Sequence, residues 1–288
     1  MTNENARSTQ RRYQIGFIGV GNMGAAILRG VCQQLFPPEQ IAITDVYRPK
    51  IDQLCQELGV QSTSDIRSLV QESRTILCAV KPNNIPDILP EISVVIQPDQ
   101  LLVSIAAGLS TRILESYLAE KIPVVRVMPN LPASVGQGVA ALSVGQAATH
   151  CHLETAEAIF NAVGTSIVVD EKQMDAVTGL SGSGPAFVFL FVEALTDAGV
   201  HVGLARPDAH QLAVQTVLGA SQMLAQSDIH PAVLKGQVTT PAGTTATGLF
   251  ELEQGRFRSL IVSAITAATQ RSAELADSVA LDLPKLDK

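Results

Sequence analysis

Three glycines near the start of the chain have the spacing of a nucleotide-binding turn. Gly19, Gly21 and Gly24 spell GxGxxG within the stretch QIGFIGVGNMGAAIL. Such a turn follows a strand and opens a helix, whose free N–H groups and dipole attract a pyrophosphate. Here an apolar stretch, Tyr13–Ile18, precedes the turn, and good helix formers, Asn22–Leu35, follow it. This context predicts that the turn binds a dinucleotide and is not an ordinary tight turn.

The fingerprint assigns a part to each glycine. Gly19 is expected to make the turn, Gly21 to let the backbone approach the pyrophosphate, and Gly24 to let the helix pack on the strand. Two later stretches, AVKPNNI and SIAAGLS, end strands at the edge of a parallel sheet where ligands gather. The residues predicted to contact the cofactor are Gly19, Gly21, Asn22, Met23, Gly24, Asp45, Arg48, Ala79, Val80, Lys81, Pro82 and Ala106.

The choice between two dinucleotides stays open at this point. Asp45 ends the second predicted strand, about twenty residues after the turn, where a carboxylate can accept hydrogen bonds from the ribose 2′-hydroxyl of NAD. Arg48 and Lys50 follow it, and both can pair with the 2′-phosphate of NADP. These residues alone favour neither cofactor.

Apolar, β-branched runs alternate with helical patterns through the first half of the chain. Such alternation predicts a mostly parallel sheet with helices on both faces. Beyond residue 172 the strand signals stop, and long stretches with helical periodicity follow. The sequence therefore predicts an α/β protein, with a Rossmann-like dinucleotide-binding domain over residues 1–172 and an all-helical domain over residues 173–288.

One predicted helix, AFVFLFVEALTDAGV, is apolar nearly all round. A helix with this pattern must be covered on every side, either within its own domain or by a second subunit. Its most apolar run, residues 186–195, is too short to span a bilayer and contains Glu193. We therefore expect a buried helix and a homo-oligomer.

Composition and charge narrow the function further. The net charge of −7 argues against nucleic acid as a partner, because phosphate binding needs a basic face. The polar N-terminus lacks the apolar core of a signal peptide, so we expect a cytoplasmic protein that does not bind membranes. The four cysteines lack CxxC spacing, Cys78 is expected to be a small core residue, and no metal site is expected, even around Cys151.

Two clusters of small residues open predicted helices in the second half. They are GLSGSGPAF, at residues 179–187, and VTTPAGTTATGLFEL, at residues 238–252. Each offers hydroxyls and unpaired backbone N–H groups, which suit a substrate carboxylate but also serve plain helix capping. No side chain here stands out as a general acid.

Together these stretches resemble the pyrroline-5-carboxylate reductase family over nearly the whole chain. The matching segments are IGFIGVGNMGAAIL, AVKP, VSIAAG, VRVMPNLPASVGQG, GLSGSGPAF and HPAVLKGQVTTPAGTTATGLFELEQGRFRSLI. The last segment resembles the family signature, close to S-P-G-G-T-T, with Thr240 in place of the serine and Ala242 in place of the first glycine. Both replacements are small, so we expect the loop to survive.

The resemblance implies hydride transfer from NADPH, with NADH also possible, to the C=N bond of 1-pyrroline-5-carboxylate, giving L-proline. The helical domain would bind this substrate and form a homodimer or a ring of dimers. The backbone of Gly243, Thr244 and Thr245 would hold the substrate carboxylate, with the catalytic Thr245 hydroxyl near the ring nitrogen. Ser181 and Ser183 would approach from the other cluster.

Two other functions stay open. A β-hydroxyacid dehydrogenase or related imine reductase has the same two-domain plan and typically places a lysine near the nicotinamide. The candidate lysine here, Lys235, belongs instead to the segment that resembles the proline family. A nucleotide-binding regulatory protein would bind NADPH and reduce no substrate.

Overall fold

The computed structural model describes residues 11–119 and 121–282, and side-chain surroundings up to residue 276. The chain divides into two compact units. The first unit runs to Gly182 and resumes at Ala268, and the second is Ser183–Ala267. The boundary at residue 172 comes from the sequence pattern and not from contacts in the structure. It therefore remains a prediction.

The first unit is built on one sheet. Its strands are β1 (Tyr13–Ile18), β2 (Ile41–Thr44), β3 (Gln61–Ser62), β4 (Ser73–Cys78), β5 (Leu101–Ser104), β6 (Val124–Met128), β7 (Gly138–Val144) and β8 (Gly164–Val168). Over the described residues, the strand order is β3-β2-β1-β4-β5-β6-β7-β8. The strands from β1 to β6 pair in parallel, whereas β7 is antiparallel to β6 and parallel to β8. The predicted Rossmann-like sheet is confirmed.

Helices cover both faces of this sheet. They are α1 (Asn22–Gln34), α2 (Arg48–Leu58), α3 (Ile66–Glu72), α4 (Ile85–Ser93), α5 (Thr111–Ser116), α6 (His150–Asn161) and the short α7 (Met174–Val177). Residues of α1, α2 and α6 belong to one buried apolar cluster, and residues of α3, α4 and α5 to another. In β4, Leu77 joins the first cluster, while Ile76 and Cys78 join the second. Cys78 is thus a core residue, and burial raises the pKa of its thiol to about 12.

The secondary structure of the second unit consists of helices. It contains α8 (Gly184–His201), α9 (Arg206–Ala225), α10 (Pro231–Gln237), α11 (Thr244–Gln254) and the beginning of α12 (Phe257–Asp282). Helices α8 and α9 pack closely at Gly199. A Cβ added there would lie 2.9 Å from the Cβ of Ala209. The all-helical character predicted for this part of the chain is therefore confirmed.

Helix α8 is apolar but largely uncovered within the single chain. The side chains of Phe189 and Leu190 are 59% and 65% exposed. The helical segment Glu171–His201 contains an 18-residue window with a mean hydropathy of 1.3, of which 6% is buried. By length and composition this segment is long and apolar enough to cross a membrane, which the shorter run 186–195 is not. The expected burial of α8 is thus not met by its own chain.

Candidate active site

A cleft of about 690 Å³ opens at the carboxyl ends of β1, β2 and β4. Half of the residues predicted to bind a cofactor line it, namely Gly19, Gly21, Asp45, Ala79, Val80 and Lys81. The other predicted residues lie outside its lining: Asn22, Met23 and Gly24 in the first turn of α1, Arg48 at the start of α2, Pro82 beside Lys81, and Ala106 buried beyond β5. The fold thus brings the motifs from three strand ends to one edge of the sheet.

Two glycines of the turn leave no room for a side chain, and one of them also has a left-handed backbone conformation. Gly19 has φ +91°, and a Cβ added there would lie 2.8 Å from the carbonyl oxygen of Ala79. A Cβ added at Gly24 would collide with the carbonyl oxygen of Gly19. At Gly21 an added Cβ would meet nothing within 4 Å. Protein packing therefore requires glycine at 19 and 24, whereas the space at 21 opens toward the cleft.

Helix α1 begins at this turn with an unsatisfied N-terminus. Gly21 is the N-cap, with no capping side chain, and the first turn carries no acidic residue. The N–H of Ala25 donates to the carbonyl of Gly21, but Asn22, Met23 and Gly24 lie too early in the helix for such a bond. These N–H groups and the helix dipole form a site suited to an anion.

Asp45 ties the glycine turn to the end of β2. Its Oδ2 accepts a hydrogen bond of 2.7 Å from the N–H of Val20, and its Oδ1 accepts one of 2.9 Å from the N–H of Tyr47. The N–H of Gly19 donates to the carbonyl oxygen of Thr44 at 2.9 Å. Two N–H groups of the turn are therefore committed to β2, and each oxygen of Asp45 already accepts one bond.

Two cations stand beside this junction. Arg48 begins α2, is largely exposed, and its Nε lies 3.4 Å from Oδ1 of Asp52, one helical turn further on. The Nζ of Lys50 is 3.5 Å from Oε1 of Gln53. Because Arg48 pairs with Asp52 and not with Asp45, its guanidinium keeps donors that can face a phosphate.

The sequence did not reveal the far wall of the cleft. This wall includes Ser64 and Asp65, between β3 and α3, and Glu91 on α4. Asp65 caps α3, and hydrogen bonds from the hydroxyl of Ser64 and from Ser68 hold the pKa of its carboxyl below the usual value. The N-cap signal of an aspartate before an apolar helical run could have located it.

Ser181 lies in a turn that is wider than an α-helix. Residues Thr178–Gly182 form a π-helical turn, and the Ser181 hydroxyl donates to the carbonyl of Val177 at 3.0 Å. The side chain of Asn130, which follows β6, donates to the carbonyl oxygen of Ser181 at 3.1 Å. Single turns of this type often mark functional sites. Sequence reasoning placed Ser181 among the candidates but did not find Asn130.

The loop before α11 forms a second helix N-terminus, in the second unit. Ala242 adopts a left-handed conformation with φ +56°, and Gly243 is the N-cap of α11 without a capping side chain. A Cβ added at Gly243 would collide with the hydroxyl of Thr240. Thr245 is half-buried and Thr244 exposed. The loop therefore presents backbone N–H groups at the start of an 11-residue helix. Ser183 begins this same unit, as the N-cap of α8.

Side chains that could bind a metal are not clustered in the part of the chain that the structure describes. It contains no group of three or more His, Cys, Asp or Glu side chains that could hold a metal ion. Beside the exposed Cys151, the Nδ1 atom of His152 is 3.0 Å from the N–H of Thr149 and accepts its hydrogen bond.

Comparisons with known proteins extend over both halves of the chain. A family model for NADP oxidoreductase, coenzyme F420-dependent, matches residues 14–108, and a model for pyrroline-5-carboxylate reductase dimerisation matches residues 171–275. The chain is 43% identical to a pyrroline-5-carboxylate reductase of Methanosarcina acetivorans, over 91% of this chain and 97% of that one.

Solved structures agree with the sequence matches. A pyrroline-5-carboxylate reductase from Coxiella burnetii has a TM-score of 0.88 and 35% identity, covering 92% of this chain and 99% of the other. The Plasmodium falciparum pyrroline carboxylate reductase, with NADP bound, has a TM-score of 0.82 and 31% identity, covering 93% and 99%. The fold and its glycine-turn cleft define a nucleotide-binding oxidoreductase of the Rossmann type. Within that class, the chain belongs to the pyrroline-5-carboxylate reductase family.

Proposed function

We propose that this protein reduces the C=N bond of 1-pyrroline-5-carboxylate with NADPH, giving L-proline as the last step of proline synthesis. The observation that carries the proposal is identity at 38% or more, along over nine-tenths of the chain, to relatives named pyrroline-5-carboxylate reductase from an archaeon, a plant and a bacterium. The cofactor assignment draws on the matched NADP oxidoreductase model and on the NADP-bound Plasmodium relative.

The cleft of the first unit fits a dinucleotide. The open space at Gly21 and the uncapped start of α1 leave room and donors for a pyrophosphate. Because the N–H of Val20 donates to the Asp45 carboxylate and that of Gly19 to the carbonyl of β2, we assign the phosphate contacts to the N–H groups of Asn22, Met23 and Gly24. The residues Ala79, Val80, Lys81, Pro82 and Ala106 extend the proposed cofactor surface across β4 and β5.

The side chains after β2 favour NADPH. Arg48 and Lys50 stand where a 2′-phosphate would need cations. Asp45, which would suit a ribose hydroxyl, already accepts one backbone N–H at each oxygen. A carboxylate accepts more than two bonds in all, so binding of NADH stays possible alongside NADPH.

The start of α11 is the proposed carboxylate receptor. The N–H groups of Thr244 and Thr245 lie at an uncapped helix N-terminus, where a negative charge is stabilised. Gly243 is the N-cap, and its own N–H donates to the carbonyl of Thr240, so we assign the carboxylate contact mainly to Thr244 and Thr245. The hydroxyl of Thr245 is proposed to lie near the ring nitrogen, and Ser181 and Ser183 are proposed to contact the substrate from the other cluster.

The proposed reaction requires little general acid or base catalysis from the protein. When bound, NADPH supplies the hydride that reduces the imine carbon. The imine can arrive protonated, so the residues of the chain need only hold the carboxylate, orient the ring and keep water away. Good placement alone can lower a barrier by up to about 7–11 kcal/mol. A site built from helix N-termini, serines and threonines is sufficient for these tasks.

The assembly is proposed to be a homodimer, or a ring of such dimers, in the cytoplasm. The matched dimerisation model covers α8, whose exposed phenylalanine and leucine side chains need a cover. A second copy of the same helical unit supplies an apolar cover of matching composition. In this proposal the apolar segment Glu171–His201, which is long enough to cross a membrane, contributes to the subunit interface.

The test compares oxidation of NADPH and of NADH with 1-pyrroline-5-carboxylate, followed by chromatographic detection of proline. We expect turnover with formation of proline, faster with NADPH. A parallel panel of β-hydroxy acids with the oxidised cofactors tests the dehydrogenase alternative. Tight binding of NADPH with no turnover of any substrate would refute the proposal and favour a regulatory nucleotide-binding protein.

A further inference from the structure

Asn130 joins two segments that lie far apart in the sequence. It follows β6, is 8% exposed, and uses both ends of its side-chain amide. Its Oδ1 accepts a hydrogen bond of 2.9 Å from the N–H of Val139 on β7, and its Nδ2 donates one of 3.1 Å to the carbonyl of Ser181. The amide therefore bridges the sheet to the π-helical turn.

The carbonyl of Ser181 needs this donor because of the local sequence. In an α-helix it would accept from the N–H of the residue four positions on, which here is Pro185 and has no N–H. Ser181 is partly buried, and a carbonyl shielded from water without a partner is costly. Asn130 supplies the missing donor. The side chain of Met128 packs against the same turn, since a Cβ added at Gly182 would lie 2.7 Å from its Cε.

We propose that Asn130 is a positioning residue for the reduction, because it fixes the turn that carries Ser181. The inference rests on the proposed function, in which Ser181 contacts the substrate. Loss of the amide removes the hydrogen bond that holds the turn, so Ser181 occupies its substrate-binding position for a smaller fraction of the time. The effect should appear in the KM for pyrroline carboxylate, while the cofactor cleft, built on β1, β2 and β4, is unaffected.

Two variants separate this role from a general loss of stability. Asn130→Ala removes both bonds, and we expect kcat/KM for pyrroline carboxylate to fall about tenfold to a hundredfold, from the usual strength of a buried hydrogen bond. Asn130→Asp keeps an acceptor for Val139, but its second oxygen can face the Ser181 carbonyl only when it carries a proton. Burial beside that carbonyl raises the pKa of the introduced carboxyl.

The pH profile is the signature of positioning. Between about pH 5 and pH 9, the activity of Asn130→Asp relative to the unaltered protein should fall as pH rises through the pKa of the new carboxyl. The relative activity of Asn130→Ala should stay low and flat. Asn161→Asp is the matched control, because the exposed Asn161 uses only its Oδ1, to accept from Ser166, and aspartate keeps that acceptor.

NADPH titration and thermal unfolding complete the experiment. Each variant should bind NADPH with unchanged affinity and stoichiometry, which shows that the protein is folded. Wild-type KM and kcat in Asn130→Ala, or identical flat losses in both Asn130 variants, would overturn the inference. Absence of pyrroline carboxylate reduction by the unaltered protein would instead refute the proposed function.

Discussion

Replacement of Asp45 tests whether this residue selects the cofactor or braces the turn that binds it. A carboxylate that reads the ribose hydroxyl would favour NADH and repel a 2′-phosphate. The structure instead gives Asp45 two backbone partners, the N–H groups of Val20 at 2.7 Å and Tyr47 at 2.9 Å. We expect Asp45→Ala to weaken the binding of both cofactors.

The magnitude follows from these bonds. A hydrogen bond to a charged group contributes about 1.5–3 kcal/mol, and the half-buried setting of Asp45 favours the lower value. If loss of the Val20 bond alone loosens the turn, NADH should bind about tenfold more weakly. For NADPH, removal of the nearby negative charge offsets up to about 1 kcal/mol, so the loss should be about twofold to tenfold.

The assay is titration of NADPH and NADH fluorescence, without substrate, for a matched set of variants. Asp45→Asn also lacks the charge but can keep one of the two bonds, so its affinities should lie between those of the alanine variant and the unaltered protein. Glu39→Gln, which removes an exposed carboxylate outside the cleft, is the control and should change neither affinity. Tighter NADPH binding together with NADH binding weakened far beyond tenfold would refute the bracing role.

Three further changes test the other proposed contacts. Arg48→Ala should weaken NADPH about tenfold in the same titration and leave NADH nearly unchanged, because only a 2′-phosphate needs the guanidinium; equal losses would contradict this. Thr245→Ala should lower kcat/KM about tenfold to a hundredfold, for loss of one polar contact, and an unchanged value would remove Thr245 from the site. Ala242→Gly should raise the unfolding free energy by about 0.5 kcal/mol, because it relieves the left-handed φ of +56° at some cost in chain entropy. The same change at Ala246, in the first turn of α11, should lower it by about 0.5 kcal/mol, because glycine has the lower helix propensity, and chemical denaturation distinguishes the two signs.

The sequence predicted the strands and helices whose patterns are long and uninterrupted. The sequence gives no signal for β3, because two residues, Gln61 and Ser62, are too few to show an alternating pattern. The signal for α4 is mixed, because Ile85, Leu89 and Ile92 have helical spacing and are buried, whereas Pro86 and Pro90 are typical of a loop. The structure accommodates Pro86 in the first turn, where the helix needs no N–H.

The site was predictable only as far as local motifs reach. The glycine turn and the small-residue clusters carry their signals within a few residues, so their positions could be read from the chain. The partners of Asn130 lie 9 and 51 residues away, and the partner of Asp45 on the glycine turn lies 25 residues away. Such contacts depend on strand order and register, which a single sequence does not specify.

Two stretches of irregular backbone lie beside the groups proposed to hold the substrate. The π-helical turn carries Ser181, and the left-handed Ala242 directly precedes the start of α11. Neither conformation is favoured by its own residues, so each needs support from elsewhere in the fold. The turn receives it from Asn130, and the start of α11 receives it from Thr240, whose carbonyl accepts the N–H of Gly243 at 3.0 Å. Backbone that is costly to form and held by contacts from elsewhere in the fold keeps the proposed donors in place before the substrate binds, so that little reorganisation is needed during the reaction.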